Sequence, residues 1–403
     1  MPTWVVDLQQ HADQIQSGLV EMRRHLHRNP ELSGQEHKTT RFLAGFLEQL
    51  GLHPQLAGDD RGLFADLDVA TTDAKTPDRR IALRGDIDAL PIADQKIVDY
   101  HSHNPGVMHA CGHDVHPSVV CGAVQILTAM AERNQLPWPI ALRAVLQPAE
   151  EIAQGASHMI RSGAIDGVDA ILALHVDPTR PIGEIGLKAG VLTASCDMIH
   201  VDFLGKGGHG ARPHLCKDPI DACTLWVQSA FRRIHRVVSA DQTVVFSVGQ
   251  INAGHSANVI PDQADVSGSL RTLSTEARSV ALDALHDVSR SVKQQTGCEV
   301  RSRLGVSAPA VINDQSLIQL ISDAAVLVAG PNAPTPIAEP SMGSEDFSYY
   351  LQKIPGAMFR LGVAGDACGH HPLHTAQFDV DERCLAIGAK IMAAAVIQYF
   401  RPR

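Results

Sequence analysis

The chain has 403 residues, of which 44% are hydrophobic and 19% are charged, so it contains ample material for a globular core. This length predicts two domains, and a formal net charge of −10 without any Lys/Arg-rich run argues against a nucleic-acid partner. No apolar run approaches the roughly 18 residues that cross a bilayer. Because no secretory signal is recognisable at the N-terminus and eight cysteines are too few for a disulfide scaffold, we expect a reduced, cytoplasmic protein without a membrane partner.

Three apolar runs in the first half of the chain end abruptly in polar residues. They cover 80–88, 139–151 and 169–178, and helical patterns lie between them. Strands that alternate with helices predict an α/β domain with a mostly parallel sheet, whose ligand crevice lies beyond the carboxyl ends of the strands. The residues that we expect to gather at this edge, beside Cys111 and His113, are Asp86, Asp88, Glu150, Glu151 and His175.

The middle of the chain has a different order of elements, β-α-β-β-α-β. Strands are predicted at 196–207, 243–254, 262–272 and 298–305, and helices at 218–234 and 276–297. This order is that of the split βαβ, or ferredoxin-like, motif and predicts a small α+β domain inserted into the larger one. We therefore expect a catalytic domain made of 1–190 and 306–403, with a packed helix at 381–400, and an inserted domain at 191–305.

Residues 108–116, MHACGHDVH, place three histidines, a cysteine and an aspartate in nine positions. His109, Cys111 and His113 follow one another at i, i+2 and i+4, which projects side chains to one side of an extended strand or loop. Thiolate and imidazole are ligands for zinc and neighbouring metals. By itself the stretch fits a metal site and a turn with a buried cysteine equally well.

A set of longer segments occurs in order along essentially the whole chain. The segments are RRHLHRNPELSG (23–34), RGDIDALPI (84–92), NPGVMHACGHD (104–114), LQPAEE (146–151), GKGGHGARPH (205–214), SANVIPDQADVSGSLRT (256–272), GSEDFSYY (343–350) and LHTAQFDVD (373–381). They resemble the dinuclear-metal peptidase and amidohydrolase family that includes aminoacylases and carboxypeptidases. Within it, the chain is similar to the branch of N-acyl-amino-acid amidohydrolases, hippurate hydrolases and auxin-conjugate hydrolases.

The resemblance implies two divalent metal ions per subunit, zinc or manganese, with cobalt as a further possibility. It assigns the metal ligands to Cys111, His113, Glu151, His175 and His374. Glu150 would be the general base, which deprotonates a metal-bound water and returns the proton to the departing amine. On chemistry alone the two glutamates also fit a solvated turn, His175 fits a buried structural histidine, and His370 or His371 could replace His374.

One motif departs from the wider family. Many relatives carry a His-x-Asp pair where this chain has Asp86-Ile87-Asp88. Cys111 and His113 would make up the missing ligands, which leaves Asp86 without an assigned role. Asp88 is interpreted as a group that orients an imidazole, with a helix-capping or turn aspartate as the alternative.

The resemblance also assigns roles to residues of the inserted domain, which would serve as a lid and dimerisation domain. His209 would stabilise the oxyanion, in relatives often from the partner subunit of a dimer. Asn258 and Arg271 would contact the substrate, Arg271 through a bidentate grip on a carboxylate. Without the resemblance these residues fit a surface turn and a solvated strand. GKGGHG (205–210) also fits a dinucleotide-binding pattern, but the nearby Pro213 disfavours that interpretation.

These residues and the family resemblance together imply a metal-dependent amidohydrolase. It would cleave the amide bond of N-acyl-L-amino acids and release a carboxylic acid and a free amino acid. The expected partners are this small-molecule substrate and further copies of the chain, in a homodimer or higher homo-oligomer. The alternatives are a dipeptidase or carboxypeptidase on the same scaffold, and a non-catalytic metal-binding module with a structural zinc site.

Overall fold

The computed structural model describes residues 2–71 and 74–402. The strands are β1 (Gln55–Leu56), β2 (Leu63–Val69), β3 (Ile81–Asp86), β4 (Ile140–Gln147), β5 (Ala170–Pro181), β6 (Ile185–Leu187), β7 (Gly190–Thr193), β8 (Ser195–Leu204), β9 (Gly208–His209), β10 (Val244–Ala253), β11 (Val259–Ile260), β12 (Gln263–Thr272), β13 (Glu299–Ala308), β14 (Val311–Asn313), β15 (Pro334–Pro336) and β16 (Gly356–Ala364). The helices are α1 (Thr3–Arg28), α2 (His37–Gln49), α3 (Val115–Glu132), α4 (Gly155–Arg161), α5 (Pro219–Val237), α6 (Thr275–Thr296), α7 (Gln315–Ala329), α8 (Ser348–Leu351) and α9 (Cys384–Tyr399).

The described residues form two compact units. The first contains 1–190, 312–339 and 346–403, and the second contains 191–311 and 340–345. Residues 306–311 and 340–345 therefore belong to the unit of the inserted segment, whereas the sequence places them in the catalytic domain. Among the residues that the structure describes, every helix is too short or too polar to serve as a bilayer-spanning segment.

The first unit is built on an eight-stranded sheet with the order β1-β2-β4-β3-β5-β16-β6-β15. Its centre is parallel, because β3 pairs in parallel with both β4 and β5, and β5 with β16. The pairs β1-β2, β2-β4 and β16-β6 are antiparallel. Every residue of β3 and β4 is buried, which is typical of parallel strands that helices cover on both faces.

The helices of this unit are buried to different extents, as their sequences predict. α3 and α9 are apolar almost all round, and they pack against each other and against α1. α1 and α2 are amphipathic and bury one side each. The predicted helix at 381–400 corresponds to α9, which begins at Cys384 and ends at Tyr399.

The second unit has the predicted ferredoxin-like order of elements. Its sheet has the order β10-β12-β8-β13 with antiparallel pairs throughout, and α5 and α6 pack on it around the buried Trp226. Both helices begin at a side-chain cap, Asp218 for α5 and Ser274 for α6. The fold-class prediction, an α/β domain with a mostly parallel sheet and an inserted β-α-β-β-α-β segment, is confirmed.

Candidate metal centre

The carboxyl ends of three parallel strands bring polar residues to one edge of the large sheet. Asp86 ends β3 and stands opposite Gln147, the last residue of β4. His175 lies in β5, two register positions beyond Ala173, which is opposite Arg84 of β3. The loops that follow β3 and β4 carry Asp88, Glu150 and Glu151, so the sheet itself assembles this part of the site.

Five side chains converge with their metal-binding atoms beside this edge. The Sγ atom of Cys111 lies 3.5 Å from His175 Nε2 and 3.2 Å from His374 Nε2. Oε1 of Glu151 lies 3.5 Å from His374 Nε2 and 4.0 Å from His113 Nε2. They form two overlapping groups, Cys111 with His113 and His175, and Cys111 with Glu151 and His374, whose ligand atoms lie within 4.8 Å of one another.

Two loops, one with Cys111 and His113 and the other with His374, have backbone conformations that bring these side chains together. Gly112, between Cys111 and His113, has a φ of +85°, and a Cβ atom there would lie 2.4 Å from Val176. His374 itself has a φ of 61°, which few non-glycine residues adopt, and its N–H donates to the carbonyl of Ala110 at 2.8 Å. The loop that carries His374 is therefore fixed directly to the loop that carries Cys111.

Hydrogen bonds fix the tautomers of two buried histidines. Nδ1 of His113 donates to Asp88 Oδ1 at 3.0 Å, and Nδ1 of His175 donates to the carbonyl of Val176 at 2.8 Å. In the neutral form each ring therefore presents an unprotonated Nε2 to the cluster, as a metal ligand must. His109 lies elsewhere, 6.4 Å from His27 between ring centroids.

Each carboxylate oxygen of Asp88 accepts at least one hydrogen bond. Oδ2 accepts from Ser33 Oγ at 2.7 Å and from the N–H of Glu151 at 3.0 Å, in addition to the bond between Oδ1 and His113. Burial alone would raise the pKa of Asp88, but these hydrogen bonds lower it, so the carboxylate stays ionised. Asp88 thus bonds to a candidate ligand imidazole and to the backbone of Glu151.

Asp86 and His116 lie against the cluster but are already bonded to each other. Nε2 of His116 accepts the N–H of Val176 at 3.0 Å, so the ring proton is on Nδ1, which donates to Asp86 Oδ1 at 2.5 Å. The other oxygen of Asp86 accepts from Arg84. Asp86, His113 and His116 are close enough to hold an ion, but both nitrogens of His116 already take part in hydrogen bonds.

Glu150 stands directly beside the ligand cluster. It groups with His113 and Glu151 within 4.8 Å, and it is only 8% exposed. Its Oε1 accepts the N–H of Asp346 at 3.2 Å. The Asp346 carboxylate is itself held by Arg84 at 3.0 Å, Gln147 at 2.8 Å and the N–H of Ala156 at 2.9 Å.

The chain matches the model of peptidase family M20/M25/M40 over residues 82–398. It belongs to this family. N-acetylcysteine deacetylase of Bacillus subtilis (strain 168) is 36% identical over 94% of this chain and 96% of that protein. Thermostable carboxypeptidase 2 of Saccharolobus solfataricus is 32% identical over 98% of each chain. The crystal structure of the Bacillus subtilis YXEP protein, a dinuclear metal binding peptidase of the M20 family, matches with a TM-score of 0.80 and 32% identity over 96% of this chain and 98% of that one.

Membership of the M20 family makes this chain a hydrolase, and the names of its relatives support hydrolysis of amide bonds. The resemblance inferred from the sequence motifs is therefore confirmed. The family also includes a structural neighbour that binds two metals. The alternative of a non-catalytic metal-binding module is set aside by this membership.

The cluster of this M20 enzyme fits divalent cations. Nε2 of His113 and Oε1 of Glu151 are buried and have no hydrogen-bond partner among the described residues, so a cation would satisfy them. Burial and the nearby Glu151 raise the pKa of the Cys111 thiol to about 12, and a bound cation would stabilise its thiolate. A mixed set of thiolate, imidazole and carboxylate ligands suits zinc, manganese or cobalt.

The three candidate residues of the inserted segment lie in the second unit. His209 is exposed in β9 and pairs with Val259 of β11. The carbonyl of Asn258 accepts the N–H of Gly210 at 2.8 Å, and its Oδ1 accepts from Ser256 Oγ at 2.9 Å. Arg271 of β12 donates to the carbonyl of Met342 at 2.7 Å. Within this unit His209 and Asn258 are neighbours, and the roles of all three residues stay predictions.

Sequence reasoning missed the buried polar residues that support the site. Arg84, Gln147 and His116 lie within the motifs at 84–92, 146–151 and 108–116, but no role follows from these positions, because their contacts depend on how β3, β4 and α3 pack. Asp114, which follows His113 in the motif, accepts from Arg23 at 2.8 Å and from His27 at 2.7 Å. Arg23 and His27 both belong to RRHLHRNPELSG, one of the motifs found in the sequence. Which residues this segment contacts depends on the tertiary structure.

Proposed function

We propose that this M20 enzyme hydrolyses the amide bond of N-acyl-L-amino acids, releasing a carboxylic acid and a free amino acid. Two divalent cations would be held by Cys111, His113, Glu151, His175 and His374. The observation that carries the proposal is the position of Glu150, a carboxylate grouped with His113 and Glu151 beside the ligand cluster. A closed structural site has no need of such an additional base.

In the proposed reaction, bound cations and the residues around them have different roles. Bound divalent cations would supply Lewis acidity, which lowers the pKa of water and polarises a carbonyl oxygen. Glu150 accepts a proton from the attacking water and later donates it to the nitrogen of the departing amine. The hydrogen bond from Asp346 fixes the direction of the Glu150 carboxylate, and Asp88 fixes the ring of His113.

Three residues of the second unit are proposed to act on the substrate. His209 stabilises the oxyanion, Arg271 binds the carboxylate of the amino acid, and Asn258 contacts the substrate. The resemblance of the segments around them to amidohydrolase motifs supports these roles. We further propose that the enzyme is a homodimer or a higher homo-oligomer.

A substrate screen tests the proposal. The metal-free enzyme is reconstituted separately with zinc, manganese and cobalt, and initial rates are measured on N-acetyl- and N-benzoyl-amino acids and on dipeptides with the same C-terminal residue. We expect turnover of the N-acyl compounds with at least one metal. Turnover of the dipeptides alone would contradict the proposed substrate class.

The second candidate is a dipeptidase or carboxypeptidase that uses the same residues. It is favoured by the 32% identity to a carboxypeptidase over 98% of both chains. The two candidates differ in the group next to the scissile bond, which is a neutral acyl chain in one substrate and an aminoacyl or peptidyl group in the other. The same screen therefore separates them.

A further inference from the structure

Glu36 is a buried carboxylate outside the proposed ligand set, at the N-terminal end of α2. Its Oε1 accepts two backbone hydrogen bonds, from the N–H of Gly34 and the N–H of Ala149, both at 2.8 Å. Gly34 is two residues away, whereas Ala149 is 113 residues further along the chain and directly precedes Glu150. One carboxylate oxygen therefore joins the loop before α2 to the loop after β4.

The turn that contains Glu150 depends on a partner for the Ala149 amide. Ala149 is 5% exposed and has a φ of 53°, a left-handed conformation that few non-glycine residues adopt and that is unfavourable for alanine. Its carbonyl accepts from the N–H groups of Gln154 and Gly155 at 3.2 and 3.0 Å, which closes the turn on itself. A buried N–H without an acceptor is costly, so the bond to Glu36 keeps Ala149 in this conformation.

Asp88 holds the residue on the other side of Glu150. Its Oδ2 accepts the N–H of Glu151 at 3.0 Å. Glu36 and Asp88 thus accept the backbone N–H groups immediately before and immediately after Glu150. Two buried carboxylates fix the peptide from which the proposed base projects.

We propose that Glu36 is a positioning residue that orients Glu150 by holding the N–H of Ala149. This inference rests on the proposed function, because it concerns the proton transfer assigned to Glu150. A misplacement of a catalytic group by about 1 Å can lower the rate by about 10²-fold. Losing the bond therefore lowers kcat, while the metal ligands and the binding of substrate are retained.

Three variants separate this role from a general effect on folding. Glu36→Ala removes the acceptor, whereas Glu36→Gln keeps a carbonyl oxygen that can accept from the same N–H groups. Glutamine is a close substitute here because burial and the neighbouring Asp88 raise the pKa of Glu36 to about 7. The matched control is Glu31→Ala, since Glu31 accepts the N–H of Thr39 at 2.8 Å in the same loop.

The experiment compares these holoenzymes for kcat, KM, metal content per chain and hydrogen–deuterium exchange of peptides that cover 147–155. For Glu36→Ala we expect kcat to fall about 10- to 100-fold with KM within about twofold. Metal content stays at the wild-type level, and exchange at 147–155 becomes faster. Glu36→Gln and Glu31→Ala keep near-wild-type kcat and exchange.

Several results would overturn the inference. One is a Glu36→Ala enzyme that matches Glu31→Ala in kcat, and another is unchanged exchange at 147–155. Loss of metal from Glu36→Ala would also reject it, because Glu36 would then support a ligand. If Glu36→Ala does not fold, a folded Glu36→Gln enzyme with a tenfold lower kcat rejects the acceptor role. Normal turnover by Glu150→Gln would instead reject the proposed function, and the exchange measurement would still test the hydrogen bond.

Discussion

The candidate residues of the two units differ in how firmly their own surroundings fix them. In the first unit His113 is 1% exposed and bonded to Asp88, and Glu150 is bonded to Asp346. In the second unit His209 and Asn258 are exposed and lie on or next to two-residue strands. Buried, bonded groups are preorganised for chemistry, whereas exposed groups gain a fixed geometry when they contact a ligand. We therefore expect substitutions in the two sets of residues to have different effects on the enzyme.

The largest effect is expected from Glu150→Gln, which removes the proposed base without changing the size of the side chain. Because the proton transfer is lost, kcat should fall by about 10²–10⁴-fold. The ligands themselves are untouched, so metal content should stay at the wild-type level. Steady-state kinetics and elemental analysis of the same sample measure both quantities. Glu132→Gln, at the exposed end of α3, is the matched control, and near-normal turnover by Glu150→Gln would remove the assignment.

His209→Ala tests the exposed set. An oxyanion donor acts in the transition state, so kcat should fall by about 10²–10³-fold. Because His209 is exposed, the melting temperature and metal content should not change. His214→Ala, a neighbouring exposed histidine, is the control and should keep wild-type kinetics.

The same variant tests whether His209 acts from the partner subunit. Mixing inactive His209→Ala chains with inactive Glu150→Gln chains should restore activity, since one site of each hybrid dimer would be complete. Native mass spectrometry must first show that hybrids form. Confirmed hybrids without activity would limit His209 to its own chain.

A smaller effect is expected from Asp88→Ala, which removes the bond that orients the ring of His113. Loss of such a supporting carboxylate typically weakens metal binding by about 10- to 100-fold. Competition with a chelator measures this change, and Asp323→Ala on the exposed side of α7 is the control. Equal metal affinity in the two variants would show that His113 needs no support from Asp88.

Much of the fold follows from local patterns in the sequence. The strands that end at Asp86, Gln147 and beyond His175 are long apolar runs, so their place at one sheet edge could be predicted. The sequence could not show that residues 340–345 belong to the second unit, because they join it through contacts with residues that are distant along the chain. β1, β6 and β15, with two or three residues each, are too short to show a periodic pattern.

The sequence singled out some residues of the candidate site and gave no indication of others. Cys111 and His113 stand out by their spacing, and His374 was separated from His370 and His371 only by family resemblance. Glu36 was overlooked because a glutamate before a helix is most often a solvated cap, and only the tertiary structure brings it to Ala149. Asp86 was left without a role, since its bonds to Arg84 and His116 depend on where β3 and α3 pack.

The most direct test of the account is the number of metal ions bound per chain in Cys111→Ala and in Cys121→Ala. Both thiols are buried, and burial raises the pKa of both to about 12. Only Cys111 lies among candidate ligands, at 3.2 Å from His374 and 3.5 Å from His175. Native mass spectrometry after reconstitution should show two ions in wild type and in Cys121→Ala, and fewer in Cys111→Ala. Equal occupancy in the two variants would contradict the proposal that Cys111 holds metal at the centre of this site.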